Sequence, residues 1–145
     1  MIQRIQSIFL LLAAGGAFGV FAAPFATTQE AAQGTVFADT VFNVQDHLGL
    51  IVLFALAGLL ALVGIFLFKN RKLQMRMAIF AFIANLAAVA LGAYFFIQAE
   101  QTMGDRNVQA TVGAYLPIAT FIFTLLAYRF IKKDEQLVKS MDRLR

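Results

Sequence analysis

Apolar residues in this chain fall into four long uninterrupted runs, at residues 5–26, 48–68, 77–98 and 113–131, not into the short alternations of half-buried strands. Each run has the roughly 20 residues that a helix needs to cross about 30 Å of hydrocarbon. The first three hold no charge, and the fourth holds only Arg129 near its end. An isolated strand in lipid would leave backbone N–H and C=O groups unpaired at several kcal/mol each, so the pattern predicts four transmembrane helices. The tight link Lys69-Asn70-Arg71-Lys72 makes the second and third helices antiparallel neighbours. The expected fold is an all-α membrane protein, a four-transmembrane-helix antiparallel bundle forming a single domain over residues 1–145. Composition agrees: 61% of residues are hydrophobic and 14% charged, against an apolar share of roughly 45–50% in soluble domains. The first run also has features of a cleaved signal peptide, with Arg4 before an apolar core and small residues at Ala22 and Ala23. The thin basic region and Pro24 just beyond those small residues favour a retained span.

Charge then orients the runs. Arg4, Lys69, Arg71, Lys72, Arg76, Arg129, Lys132, Lys133, Lys139, Arg143 and Arg145 fall on one side, which is eleven of the twelve basic residues, and Arg106 alone falls on the other. Under the positive-inside rule both termini are cytoplasmic and the chain is a multi-pass membrane protein. Five acids, Glu30, Asp39, Asp46, Glu100 and Asp105, lie on the opposite face. This layout accounts for the net charge of +4 without nucleic acid as a partner.

Small residues recur at spacings of three and four in each run, the seam that lets two backbones approach. The stripes are Gly15, Gly19, Ala22 and Ala26; Ala57, Ala61 and Gly64; Ala78, Ala81, Asn85, Ala88 and Gly92; and Gly113, Pro117, Thr120, Thr124 and Ala127. Asn85 lies near the middle of its run, where an unsatisfied amide is costly. It is expected to clasp a neighbouring helix, with Thr120 and Thr124 as candidate partners. Such a bond contributes about 0.6 kcal/mol on average, so Asn85→Leu is expected to be tolerated.

The chemistry on offer is sparse. Cysteine is absent and there is one histidine, which removes thiolate and disulfide chemistry. No Asp, Glu, Lys, Arg or His accompanies Asn85 at midspan, as pumps and proton-coupled transporters usually require. Asp46 and His47 are adjacent just before the second run, but two groups are fewer than a metal site needs, and an N-cap role for Asp46 is the simpler reading. No P-loop lysine motif occurs. No catalytic set and no cofactor is expected. In the loop of residues 27–47, the triplets Thr35-Val36-Phe37 and Thr40-Val41-Phe42 suggest a short hairpin. Residues 132–145 form a basic amphipathic tail that continues the last helix: Leu137, Val138, Met141 and Leu144 share a face, and Glu135 precedes Lys139 by the helix-favouring four.

Three stretches together carry a family likeness: Met1-Ile2-Gln3-Arg4-Ile5-Gln6, Phe66-Leu67-Phe68-Lys69-Asn70-Arg71-Lys72-Leu73-Gln74, and Lys133-Asp134-Glu135-Gln136-Leu137-Val138-Lys139-Ser140 through Asp142-Arg143-Leu144-Arg145. The chain resembles a family of small four-span bacterial inner-membrane proteins known as a domain of unknown function. The resemblance implies that any shared working surface lies on the cytoplasmic side, where all three motifs fall.

These features point to a non-enzymatic integral membrane protein, an accessory or scaffold subunit of a membrane complex. The alternative is a small oligomeric channel or transport protein with Asn85 side chains along a polar path. Expected partners are the bilayer, another membrane protein or further copies of this chain. Lys69, Arg71, Lys72, Arg76, Lys132, Lys133, Lys139, Arg143 and Arg145 are the candidate inner-face contacts to a partner or to anionic lipid, at about 1 kcal/mol per basic residue. The topology has a direct test in this cysteine-free chain. A cysteine at Gln33 should label only from outside the cell and one at Ser140 only from the cytoplasm; labelling of either from the other side overturns the orientation.

Overall fold

A computed structural model describes residues 2–31, 33–103 and 108–142. Among the described residues, four α-helices are joined at one end of the molecule by three short strands and a single 3-10 turn. The helices are α1 (Ile2–Gly19), α2 (Leu48–Phe66), α3 (Arg71–Met103) and α4 (Val112–Asp142). The side chain of Arg4 and residues Asp105, Arg106, Arg143, Leu144 and Arg145 lie outside the described part.

Local chemistry sets the helix ends. α1 stops at Gly19, where the chain tightens into turns with bonds from Phe21 N to Phe18 O and from Ala22 N to Gly19 O. Pro24 then has no N–H with which to continue a helix. The first apolar run is therefore an 18-residue helix, not a span reaching residue 26. Three helices, Leu48–Phe66, Arg71–Thr102 and Val112–Met141, are long and apolar enough to cross a membrane, and within α1 Ile5–Gly19 forms a shorter apolar helix. His47 caps α2 by accepting the Gly49 N–H on its Nδ1 at 3.2 Å. The Asn70 side chain caps α3 by accepting the Leu73 N–H at 3.2 Å. α3 and α4 run to 33 and 31 residues, about 50 and 46 Å at 1.5 Å per residue, well beyond the runs of 77–98 and 113–131.

The helices form a ring in which α1 packs on α2 and α4, and α3 packs on the same two. Opposed positions show the direction of each pair. Leu10 lies against Gly64 and Phe18 against Gly58; Gln6 bonds Phe130, Gly16 lies against Thr120 and Gly113 against Pro24; Gly49 faces Leu91, and Gly64 faces Met77. Between α3 and α4, Arg71 meets Asp134 and Asn85 meets Pro117. In every pair one number rises as the other falls, so all four neighbours are antiparallel. Side chains inside the ring are small: Ala13, Ala17, Ala57, Ala61, Ala81 and Ala88 are each at most 1% exposed, while Leu11, Val52, Leu59, Ile83 and Ile122 point out.

Three of the expected stripes lie in the interior, but the first does not. Gly15 faces open space, with nothing within 4 Å of the place a Cβ would take, and Ala22 is exposed. The buried face of α1 is Gln6, Leu10, Ala13, Ala17 and Val20, which keeps the same alternation of three and four but starts on a polar residue.

At the end of the ring opposite the termini, the strands β1 (Ala26–Thr28), β2 (Val41–Phe42) and β3 (Val108–Ala110) form an antiparallel sheet in the order β2-β1-β3. Val41 and Phe42 pair with Thr27 and Ala26, not with residues 35–37. The expected hairpin is replaced because Thr35 to Thr40 fold into turns, with Thr40 at φ 69°, and Phe37 is driven fully inside. There it meets Phe42 and Phe96 edge-on at 6.0 and 6.1 Å, while Phe25 tilts against Phe42 and Phe54. β3 draws the α3 to α4 connection onto the same sheet.

The cap and the ring meet at Gly113, whose N–H donates to Pro24 O at 3.0 Å. A Cβ there would collide with the carbonyl oxygens of Ala23 and Pro24, and backbone atoms cannot swing aside as a side chain can. Gly113→Ala should therefore cost about 1–3 kcal/mol, read as a lower thermal midpoint in detergent, whereas Gly15→Ala should leave the midpoint unchanged or raise it slightly.

Candidate functional site

The polar residues that leave the surface lie on the inward seams. Asn85 is 0% exposed, and its Nδ2 donates to the Pro117 carbonyl at 3.0 Å. The partner is thus the proline carbonyl, not Thr120 or Thr124. Both threonines are buried, but their hydroxyls are taken up by their own helix: Thr120 donates to Leu116 O at 3.0 Å and Thr124 to Thr120 O. Thr120 also reaches Ala13 O on α1 at 3.5 Å. The clasp therefore joins α3 to α4, with Thr120 facing α1. Among the described residues the Asn85 Oδ1 has no hydrogen-bond partner. Asn85 is fully buried, so a leucine there loses the Pro117 bond and adds volume, and the substitution expected to be tolerated carries an overpacking penalty.

The same seams continue to the basic end. Extending the α3 stripe back from Ala78 by four and three reaches Gln74 and Arg71; extending the α4 stripe on from Ala127 reaches Ile131 and Asp134. Gln74, Ile131 and Asp134 are buried. Arg71 Nε lies 2.8 Å from Asp134 Oδ2, with both side chains largely covered. The contact lacks hydrogen-bond geometry, so charge attraction carries it. Gln6 of α1 closes the layer by donating to Phe130 O at 3.2 Å.

Arg71 is therefore an internal partner, in contrast to its expected role on the surface, and Asp134 is a structural residue that composition alone does not single out. The signal for both is the spacing, read one turn further. Lys69, Lys72, Arg76, Lys132, Lys133 and Lys139 are exposed at the same end, and Lys139 pairs with Glu135 at 3.0 Å. Arg143 and Arg145 belong to the undescribed C-terminus.

At the capped end a pocket of about 520 Å³ is bordered by Thr35, Asp39, Asp46, His47, Phe95 and Gln98. Asp46 does not cap α2. Its carboxylate accepts the Asn43 N–H at 2.6 Å across the 3-10 turn, and His47 takes the capping position while tilting against Phe95 with ring centroids 4.1 Å apart. Partial desolvation against the pocket raises the Asp46 carboxyl above its ordinary value; the Asn43 N–H pulls the other way, and Asp39 adds to the rise. Among the described residues no group of three or more His, Asp or Glu side chains converges to hold a metal ion. Two apolar clefts open between α3 and α4. One of about 420 Å³ lies under the sheet, beside Phe54, Val89, Phe96 and Ile118. The other, about 270 Å³, lies toward the basic end beside Ala78, Ile79, Phe82, Leu125 and Tyr128.

Three of these helices have the length and apolarity to cross a bilayer, which points to a membrane protein. The chain belongs to the family described as domain of unknown function DUF4293, whose model matches residues 2–144. No curated protein and no solved structure matches it.

The layer around Arg71 makes a quantitative test. Asp134→Leu leaves a partly covered guanidinium unpaired and should cost about 1–3 kcal/mol. Combining it with Arg71→Met removes both charges and should recover most of that loss in thermal unfolding.

Proposed function

We propose that this protein is a non-enzymatic scaffold or accessory subunit in a bacterial inner membrane, with all four helices crossing the bilayer and both termini in the cytoplasm. α1 supports this reading despite its length. Its 18 residues rise about 27 Å, and it lies in register between α2 and α4 from Gln6 opposite Phe130 to Gly19 opposite Leu116. A helix held along two spanning neighbours shares their depth. The ring also gathers Lys69, Lys72, Arg76, Lys132 and Lys133 at the end where both termini lie, which matches the positive-inside rule.

The observation that carries the functional reading is the filled interior. Ala13, Ala17, Ala57, Ala61, Ala81, Asn85, Ala88, Thr120 and Thr124 occupy the axis of the ring with at most 2% exposure. A helix set packed this way holds its shape and presents surfaces; it leaves no polar conduit along its axis. The channel alternative needs Asn85 to line a path between copies, whereas its side chain is fully buried inside one copy with the Nδ2 bonded to Pro117. The surfaces left for work are the basic end, with the exposed α4 extension, and the folded cap.

The experiment is purification of the tagged chain from its native membrane in a gentle detergent, with identification of what co-purifies. A stoichiometric complex with a different membrane protein is the expected result. A pure homo-oligomer that supports solute flux in proteoliposomes overturns the reading. Truncation to test the α4 extension should be made after Leu137, because a cut after Lys133 also removes Asp134, the partner of Arg71. The shorter truncation should keep insertion and weaken partner association.

A further inference from the structure

The cleft of about 270 Å³ between α3 and α4 has walls of Ala78, Ile79 and Phe82 on one side and Thr124, Leu125 and Tyr128 on the other. It ends toward the capped end at the Phe82–Phe121 pair, whose rings meet edge-on at 5.1 Å. Its other mouth carries charge. Lys72 is seven residues from Ile79, and Lys132 is seven from Leu125 and four from Tyr128, so each lysine shares its helix face with a wall of the cleft. Both are exposed. The antiparallel register set by Arg71 with Asp134 and by Asn85 with Pro117 brings Lys72 and Lys132 to the same level across the seam. The cleft begins about 6–9 Å further along the axis, at 1.5 Å per residue. Arg71 on this side of α3 is already neutralised by Asp134, while Arg76 and Arg129, each within one turn of a wall residue, are exposed beside the two lysines and add to the positive field there.

We propose that this seam binds one anionic phospholipid of the cytoplasmic leaflet, with an acyl chain in the apolar cleft and the phosphodiester between Lys72 and Lys132. The proposal rests on the reading that α3 and α4 span the membrane with this end inside. Apolar walls alone would accept any lipid tail or a partner helix. The two cations at one level, one from each wall, select a ligand with a tail and a negative head. Each lysine near such a head contributes roughly a fivefold gain in binding, and the pair about thirtyfold.

The test uses the full chain, stripped of lipid in detergent and titrated with phosphatidylglycerol or phosphatidylcholine of identical acyl chains, read by native mass spectrometry and by thermal midpoint. The expected result is one saturable phosphatidylglycerol per chain, preferred about thirtyfold over phosphatidylcholine. Lys72→Gln with Lys132→Gln should abolish the preference, and Lys69→Gln with Lys139→Gln, an equal loss of charge, should leave it. Ile79→Trp, at a position 42% exposed, should fill the cleft and weaken retention of both lipids. Equal loss in the two lysine pairs, or unchanged retention in Ile79→Trp, overturns the site in favour of diffuse surface attraction. Absence of saturable binding by a chain that inserts into vesicles overturns the proposal alone, and failure to insert overturns the membrane reading with it.

Discussion

Close approach of four backbones along seams of small residues is the constraint on which the rest of this molecule depends. Where the surroundings are as apolar as the side chains, burial of leucine gains little, and helices associate through packing and interhelical hydrogen bonds. Gly16 sits so close to α4 that a Cβ would meet the Thr120 hydroxyl, and Gly58 accepts the ring of Phe18 in the space that a side chain would fill. The large apolar residues are then left to the periphery, where Leu11, Leu59 and Ile122 are about half exposed.

That inversion explains where polarity is permitted. A polar side chain buried among apolar ones is costly unless it finds a partner there or reaches an end. Asn85 uses the carbonyl of Pro117, a residue whose ring already disturbs the hydrogen bonding of its helix. Arg71 and Asp134 occupy the layer nearest the basic end, close enough to solvent for part of each to remain hydrated. The polarity of the seams thus grades from one amide at the centre to charge at the end. At the opposite end the ring is closed by aromatic packing and a small sheet. Phe25, Phe37 and Phe42 lie in one cluster with Phe54 of α2, and β1 is paired on both sides by strands from distant parts of the chain.

Much of the candidate site is legible in the residue spacing, but one register further than composition suggests. The alternation of three and four that marks Ala78 to Ala88 also passes through Gln74 and Arg71, and the α4 stripe passes through Asp134. Charge makes these residues look like surface, because lysines and arginines beside an apolar run usually are. Partner choice is not legible. A threonine in a helix donates to the carbonyl one turn back whenever that is within reach, which withdraws Thr120 and Thr124 from Asn85. His47 displaces Asp46 as the α2 cap because the 3-10 turn gives the Asp46 carboxylate a nearer N–H at Asn43.

The sequence by itself determined the helical class, the number and order of apolar runs, the one-sided distribution of basic residues and the small-residue faces, because each follows from local composition and helical period. The tertiary structure decided which face of α1 is inside, how short that helix is, where Val41 and Phe42 find their strand partner and which two charges meet between α3 and α4. These outcomes depend on groups distant along the chain arriving at the same place: Gly113 against Pro24, Thr27 between Val41 and Gln109, Asp134 beside Arg71. A period along one helix states which residues share a face; only the packed neighbours set its direction and the partners that satisfy it.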